Sequence, residues 1–190
     1  MKKNRIVCIY LSVFMGIVLI TANSCKKDNS TTLSLGDSYQ GGKIAYILKN
    51  TDPGYDAIIQ HGLISAPTDQ STGIMWWNGT SSVTGATATA YGTGNANTNT
   101  IVASQGAGSY AAKLCSDLAL GSYSDWYLPS KDELFILYTN RVVIGNFESS
   151  NYWCSSEVST GTALLYSFSI NLQGSGGKGF LANVRAVRSF

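Results

Sequence analysis

The segment at residues 151–157, "NYWCSSE", combines a thiol, two hydroxyl groups and a carboxylate within seven positions. Such a cluster could serve nucleophilic catalysis, in which a cysteine or serine attacks a carbonyl group after a neighbouring base takes its proton. That base is normally a histidine, and His61 is the only histidine in the chain. The sequence does not place His61 beside Cys154, and the two serines stand in no known nucleophile motif. We therefore predict a protein that is not an enzyme and assign no catalytic residue.

Other patterns that carry chemistry are also missing from the sequence. No Cys/His spacing suits zinc, no glycine-rich loop has a phosphate-binding pattern, and no calcium loop of the helix–loop–helix type is present. Asp132 and Glu133 are adjacent carboxylates, but Ser130 followed by Glu133 is a capping box, and a helix dipole favours negative charge in the first turn. We predict a helix beginning after Ser130, with no cofactor and no metal site.

The N-terminus has the pattern of a secretory signal. Three basic residues at positions 2–5 precede an apolar run over 6–20, and small residues at 22–24 lead to Cys25. The apolar run is too short for a comfortable transmembrane helix. A small residue directly before a cysteine resembles a bacterial lipobox, in which the cysteine is diacylated, although Ala22 stands where leucine is usual. The alternative is an ordinary signal peptide cleaved near Ala22 or Ser24.

These patterns give a domain plan. We predict a lipoprotein signal peptide over 1–24, a lipidated cysteine with a polar tether over 25–36, and a single domain over 37–190. Two acyl chains on Cys25 would hold the protein on a membrane. The Lys-Lys-Asp that follows resembles the export signal of surface lipoproteins of Bacteroidota. The predicted location is the outer membrane, facing the exterior or, alternatively, the periplasm.

The charge of the chain argues against a nucleic-acid partner. All 11 acidic residues follow Cys25, as do 10 of the 13 basic residues, so the net charge after Cys25 is −1. No cluster of basic residues remains beyond Lys26 and Lys27. The calculated pI of about 8.3 belongs to the whole chain and does not describe the domain.

Two cysteines, Cys115 and Cys154, belong to the predicted domain. In an oxidising compartment they would form a disulfide if their geometry allows it, and otherwise remain two separate buried thiols. The sequence leaves both alternatives open.

Apolar periodicity predicts the secondary structure of the domain. Helices are expected near 96–104 and 109–119, in addition to the one after Ser130. Strands are expected at 41–48, at 56–67 as two short strands, at 73–77, 126–128, 163–172 and 184–190, with a turn at 174–179. Arg185 and Arg188 are three residues apart, so either a bulge intervenes or one of them points inward. We predict that Glu157 forms an inward ion pair with one of these two arginines.

One segment has residues suited to ligand binding. Asp69, Gln70, Trp76, Trp77 and Asn78 combine aromatic faces with amide and carboxylate groups, which suits sugar rings because C–H groups stack while hydroxyl groups form hydrogen bonds. Adjacent residues of a strand face opposite ways, so at least one of the two tryptophans is expected to point inward.

Several motifs resemble one known family. "DWYLPSKDEL" (125–134), "YWCSSE" (152–157), an aromatic strand and "VRAVR" (184–188) follow in the order found in the Lcl C-terminal domain family, named for the C-terminal domain of a bacterial collagen-like adhesin. "HGLISAPTDQSTGIMWWNG" (61–79) and "GAGSYAAKLC" (106–115) are similar to its Bacteroidota branch. The resemblance implies an α+β, C-type-lectin-like fold, with two helices packed on a twisted, mostly antiparallel sheet and long loops.

The same resemblance bears on function and on the cysteines. The named member recognises sulfated polysaccharides through a basic surface, but this domain is nearly neutral, so that ligand is not carried over. The family usually has serine at the position of Cys154 and often a cysteine at that of Ala186, which implies that Cys154 replaces the usual partner of Cys115. We predict a cell-surface lipoprotein with a glycan- or protein-binding, adhesin-like domain. The alternatives are a structural cell-envelope protein without a small ligand and an envelope hydrolase.

Overall fold

The computed structural model describes residues 32–190, which form one compact unit. The predicted lipidation site, Cys25, and the predicted end of the signal peptide lie outside these residues. The helices of the described part are α1 (Gly94–Gln105), α2 (Ala111–Ser116), α3 (Lys131–Thr139) and α4 (Arg141–Ile144). Its strands are β1 (Ser38–Tyr39), β2 (Gly42–Ile47), β3 (Gly62–Ser65), β4 (Ser71–Ile74), β5 (Asn151–Glu157), β6 (Thr162–Ser167), β7 (Leu172–Gly177), β8 (Ala182–Val184) and β9 (Val187–Ser189).

The strands form two sheets. One sheet has the order β1-β2-β3-β9 and the other β4-β8-β5-β6-β7. Among the described pairs, β5 and β8 run parallel and the others antiparallel. The predicted α+β class is confirmed. Residues 32–190 contain four helices and two sheets, where the family resemblance implied two helices and one sheet. Within that range, no helix has both the length and the apolar character needed to cross a membrane.

Strand β5 separates two clusters of buried side chains. Trp153 packs in the first cluster, whereas Tyr152 and Cys154 pack in the second. This division follows from the alternation of side chains along a strand. Because almost the whole of β5 is buried on both faces, its polar groups have to find partners inside the protein.

The capping box at the start of α3 is confirmed. The Ser130 hydroxyl accepts from the Glu133 backbone N–H at 3.3 Å, and the Glu133 carboxylate accepts from the Ser130 N–H at 2.7 Å. The buried carboxylate also accepts from the Gly92 N–H and the Tyr127 hydroxyl, at 3.0 and 3.1 Å. Burial outweighs these bonds and raises the pKa of Glu133. Glu133 is therefore a structural group that joins α3 to the loop before α1.

The other two predicted helices are present with different bounds. The helix expected near 96–104 is longer and spans Gly94–Gln105, whereas the one expected over 109–119 is shorter and spans Ala111–Ser116.

The predictions for residues 163–179 are wrong in part. The expected single strand ends at Ser167, the chain turns, and it returns as β7 through the residues expected to form a turn. Asn171 holds the turn with a φ of 54°, which asparagine tolerates, and its side chain accepts from the Tyr166 hydroxyl at 2.7 Å. Ile170 continues the apolar alternation but is 67% exposed, so periodicity alone missed the turn.

Four further strand predictions need correction. The strand expected at 73–77 is β4, which spans Ser71–Ile74 and ends before Trp76 and Trp77. Residues 56–61 do not form a strand, because the Asp56 side chain accepts backbone N–H groups there and bends the chain. The segment 126–128 contributes only an isolated bridge between Tyr127 and Val187. The closing strand is interrupted between β8 and β9, and this break allows both Arg185 and Arg188 to be buried.

Candidate functional site

Cys154 and His61 have separate hydrogen-bond partners in the protein. The Cys154 thiol is buried and donates to the Leu164 carbonyl at 3.3 Å. Burial raises its pKa to about 12, so the group is a neutral thiol at physiological pH. His61 Nδ1 lies 3.1 Å from the Phe190 carbonyl oxygen, beside the other sheet. No hydrogen bond joins the two residues, and Cys154 does not have the environment of an activated nucleophile.

The two neighbouring hydroxyl groups have structural partners. Ser156 Oγ donates to the Ala88 carbonyl at 2.8 Å. Ser155 Oγ accepts from the Asn97 amide at 3.3 Å. These bonds fasten β5 to α1 and to the loop that precedes it, so the hydroxyl groups of "NYWCSSE" serve the fold.

Of the two alternatives left open for Cys115 and Cys154, the structure has the separate thiols and not the disulfide that the family resemblance favoured. Cys115 and Cys154 are both free and both buried, as in the alternative of two separate thiols. Cys115 lies on α2 in the first core cluster, with Trp153. Cys154 follows Trp153 in β5, so its side chain points the opposite way, into the second cluster.

The predicted partner of Glu157 is wrong. Its carboxylate pairs with Lys178, and both side chains are almost completely buried, at 1% and 0% exposure. Lys178 lies in the glycine-rich segment after β7, where the sequence predicts an ordinary turn. Arg185 and Arg188 follow β8 and have other acidic partners.

Each arginine is bound to one aspartate. Arg185 Nε donates to Asp69 Oδ1 at 2.6 Å, and its guanidinium lies 3.9 Å from the centroid of the Phe147 ring. Arg188 makes two bonds to Asp125, at 2.7 and 2.8 Å. Both arginines therefore hold the C-terminal segment to the core and are not available to a ligand.

The Glu157 carboxylate lies in a pocket of backbone N–H groups. The Thr84 N–H donates to both of its oxygens at 2.9 Å, and the Gly85 N–H donates at 2.9 Å. Lys178 Nζ donates to this carboxylate and, at 3.0 Å, to the Ser82 carbonyl. Every charge of the pair thus has several partners, which is the condition under which a buried ion pair is tolerated.

Burial and hydrogen bonding act in opposite directions on Glu157. Burial alone raises the pKa of its carboxyl group, but the bonds from Lys178 and from the Thr84 and Gly85 N–H groups outweigh it and lower the pKa below the ordinary value. The carboxylate is therefore charged at neutral pH and the ion pair is intact.

Lys178 joins three surface segments. Its carbonyl accepts from the Trp76 N–H at 2.9 Å, and its N–H donates to the Gly161 carbonyl at 2.8 Å. Its ammonium group lies 4.7 Å from the centroid of the Trp76 ring, a favourable cation–π distance. The loop after β4, the β5–β6 turn and the β7–β8 turn are thus joined at Lys178, partly through its backbone and partly through its buried side chain.

These three segments carry a group of exposed apolar side chains, which we call the Trp77 surface. Trp77 packs partly against the first core cluster, while the other members are between 52% and 69% exposed. An ideal Cβ at Gly179 would lie 3.8 Å from Trp77 Nε1, and one at Gly73 would lie 3.7 Å from Leu181 Cβ, so these two side chains lie directly beside glycine backbone. The members are Trp77, Val83, Val158, Phe180 and Leu181.

Of the predicted aromatic candidates, only Trp77 reaches the surface. Trp76 has 0% exposure and donates to the Cys154 carbonyl at 2.8 Å. The Asn78 side chain donates to the Gln105 carbonyl, and its backbone N–H donates to the Gln105 side chain at 3.1 Å. Trp76 and Asn78 therefore position Trp77 and have no free group for a ligand.

The other two predicted ligand residues are structural. Asp69 accepts from the Tyr152 hydroxyl at 2.7 Å in addition to Arg185. Gln70 accepts the Ala186 N–H through its side-chain oxygen and donates to the Thr68 carbonyl at 2.7 Å through its amide. The sequence identified the right neighbourhood but missed Phe180 and Leu181, since a single Phe-Leu pair after a glycine run gives no signal of exposure.

The described residues offer no preformed metal site. No group of three or more His, Cys, Asp or Glu side chains within residues 32–190 is placed to hold a metal ion. In the same range, every buried side-chain nitrogen or oxygen has a hydrogen-bond partner.

The chain thus forms an α+β domain in which the buried ion pairs stabilise the fold. The side chains at the candidate site, the Trp77 surface, are aromatic and aliphatic. The family model for the Lcl C-terminal domain matches residues 66–188 of the 190-residue chain, and the chain therefore belongs to that family of adhesin-like surface-protein domains. A search of the curated proteins found no significant match.

Proposed function

We propose that this protein is a cell-surface lipoprotein whose domain is a non-catalytic, adhesin-like binding module that contacts its partner through the Trp77 surface. The observation that carries the proposal is the set of exposed apolar side chains fixed to a buried ion pair. A group of neighbouring exposed apolar side chains often marks a site of interaction with another molecule. The whole of the Trp77 surface lies within the part of the chain that matches the family.

The rigidity of the Trp77 surface favours binding. Side chains that are already held in place lose little conformational entropy when a partner arrives. Aromatic residues also supply most of the binding energy in many interfaces. Trp77, which is half-buried, and Phe180, which is 64% exposed, provide such anchors.

The class of partner follows from the polar groups near Trp77. The side chains of Asp69, Gln70 and Asn78 are bonded within the protein, so few polar groups remain to orient a sugar. An apolar patch on a protein therefore fits this surface best. A glycan would have to stack on Trp77 or Phe180 and form hydrogen bonds with backbone groups.

Binding arrays of surface proteins and of glycans test this function. Residues 32–190 form one compact unit, so a chain beginning at Lys26 is suitable. We expect saturable binding that falls at least about tenfold in Trp77→Ala and Phe180→Ala. Phe135→Ala is the matched control, since Phe135 is 49% exposed and lies outside the Trp77 surface. Silence on both arrays, with co-purification of an envelope protein, would favour the structural alternative.

The lipid anchor is tested separately. We expect the full chain to incorporate labelled fatty acid in its bacterial host and Cys25→Ala to lose that label. Export without any label would instead favour an ordinary signal peptide.

A further inference from the structure

We propose that the domain makes a second, direct contact with the lipid bilayer through the apolar loop at residues 55–59. This inference rests on the proposed anchoring at Cys25, because it supposes that a membrane lies near the N-terminal end of the domain. The Trp77 surface takes no part in it.

The loop exposes large apolar side chains that nothing in the domain covers. Ile58 is 93% exposed, Ile59 58% and Tyr55 43%. The shape of the loop is nevertheless fixed, since Asp56 Oδ1 accepts the N–H groups of Ile58 and Ile59 at 2.6 and 3.0 Å. Local hydrogen bonds therefore fix the backbone that carries the two isoleucines. Exposure of their side chains to water is unfavourable, and burial in an apolar phase would remove this free-energy cost.

The loop lies beside the first described residues of the chain. The Leu33 N–H donates to the Gln60 side-chain oxygen at 2.7 Å, and the Gln60 amide donates back to the Leu33 carbonyl at 3.3 Å. Gln60, the residue that follows Ile59, is thus in direct contact with Leu33.

Further apolar side chains surround the same N-terminal residues. Leu35 and Phe135 are 43% and 49% exposed and line a groove of about 440 Å³ between β2 and α3. Val143 is 51% exposed and packs against Gly36. Together with the loop, these residues make the N-terminal side of the domain apolar.

The length of chain outside the structure places a membrane within reach. Seven residue steps separate Cys25 from Thr32, where the described part begins. A fully extended chain of that length spans at most about 25 Å. If Cys25 carries acyl chains in the bilayer, a connection of that length keeps the loop within reach of the membrane surface.

The charges near the loop make the contact apolar rather than electrostatic. The backbone N–H groups of Ile58 and Ile59 lower the pKa of Asp56, and the Lys49 N–H with the Tyr46 hydroxyl lowers that of Asp52. Both carboxylates are charged at neutral pH and offset the cation of Lys49. We therefore expect no preference for anionic lipids and little effect of salt.

Vesicle flotation tests the proposal with a chain that begins at Lys26 and carries no acyl group. We expect the wild type to float with neutral phosphatidylcholine vesicles. The double variant Ile58→Ser, Ile59→Ser should lower the partition coefficient at least about tenfold. The double variant Phe180→Ser, Leu181→Ser is the matched control, with 64% and 69% exposure on the Trp77 surface, and should float like the wild type. Absence of flotation, equal losses in both variants, or binding only to anionic vesicles would overturn the proposal.

A fluorescent probe gives an independent measurement. Cys115 and Cys154 are buried, so a thiol-reactive NBD label on Ile58→Cys reacts selectively in a chain that lacks Cys25. We expect its emission to shift to the blue with neutral vesicles, while the same label on Phe180→Cys stays unchanged. No shift at position 58 would contradict membrane contact.

The outcomes separate this inference from the proposed function. The vesicle assays need neither an acyl group nor a binding partner at Trp77. Labelled fatty acid on Cys25 without vesicle contact would leave the anchor intact and overturn only the loop proposal. Vesicle contact without that label would support the loop and contradict the anchor.

Discussion

Two regions of the domain expose apolar side chains, and they are held in place by different means. The Trp77 surface rests on Glu157 and Lys178, a completely buried ion pair with several backbone partners. The loop at 55–59 rests on the exposed carboxylate of Asp56 and on Gln60. The geometry of the first region is therefore tied to the stability of the whole fold, whereas that of the second is local.

The two regions also differ in their relation to the family. The matched residues, 66–188, include the Trp77 surface and exclude the loop at 55–59. A surface within the shared domain suits the binding role proposed for the family fold. A loop that precedes the shared part suits a task tied to this chain's own N-terminus. The difference indicates that partner binding and membrane contact are separable by mutation.

The largest expected effect is that of Lys178→Met. Removing the ammonium group leaves the Glu157 carboxylate buried without its cation, so the free energy of unfolding should fall by about 3–5 kcal/mol. Binding through the Trp77 surface should weaken as well, because the ammonium group no longer contacts the Ser82 carbonyl and the Trp76 ring, although the backbone bonds of residue 178 remain. Urea denaturation measures the first effect and array binding the second.

Controls at both regions sharpen this result. Lys49→Met removes an ammonium group near the apolar loop that has no salt-bridge partner in residues 32–190, and should change the free energy of unfolding by less than about 0.5 kcal/mol. The double variant Lys178→Met, Glu157→Gln should recover part of the loss, because the neutral amide removes the unpaired charge and its oxygen can still accept from the Thr84 and Gly85 N–H groups. A loss below about 1 kcal/mol in Lys178→Met alone would show that the ion pair does not support the Trp77 surface.

A smaller effect is expected from Gly176→Ala, under the Trp77 surface. The added Cβ would lie 2.8 Å from Leu165 Cδ2 and 3.1 Å from the Trp153 ring, so these core side chains would have to move. Overpacking of this kind costs about 1–3 kcal/mol. Gly161→Ala is the control, since a Cβ there meets nothing within 4 Å. Equal thermal stability of the two variants would contradict tight packing at this site.

Features that depend on residues close together in the sequence could be predicted correctly. The capping box of Ser130 and Glu133 depends on residues three apart, and the structure contains it. One of Trp76 and Trp77 points inward as expected, and Trp76 is the buried one, although β4 ends at Ile74 and strand alternation does not reach this pair. The α+β class rested on the order of the family motifs and is also confirmed.

Contacts between distant residues could not be predicted in the same way. Glu157 and Lys178 are 21 residues apart, and the choice of Lys178 over the arginines depends on how the β7–β8 turn folds back. Asp69 and Arg185 are 116 residues apart and meet only when both sheets are assembled. Side-chain partners of this kind are set by tertiary packing, which local patterns do not encode.

A gradual effect is expected from acid. The pKa of Glu157 lies below 4.5 in the folded protein and near 4.5 in the unfolded chain. Between these values the unfolded chain binds more protons, so the free energy of unfolding falls as the pH drops below 4.5 toward the folded pKa. Urea denaturation between pH 3 and 6 should show a steeper fall for the wild type than for Glu157→Gln. Parallel curves for the two proteins would mean that Glu157 has no stabilising ionic partner.

The smallest effect is expected from Ile58→Ser at the apolar loop. Because Ile58 is 93% exposed, its substitution removes almost no buried contact, and the free energy of unfolding should change by less than about 0.5 kcal/mol. Ile64→Val is the control, because Ile64 has 0% exposure. This variant should lower the free energy of unfolding by about 0.5–1.5 kcal/mol. If Ile58→Ser has normal stability but weaker vesicle contact, the loop acts in membrane contact and not in stabilising the fold. If it instead lowered stability as much as Ile64→Val, the loop would be part of the core, and the two apolar regions would not differ in kind.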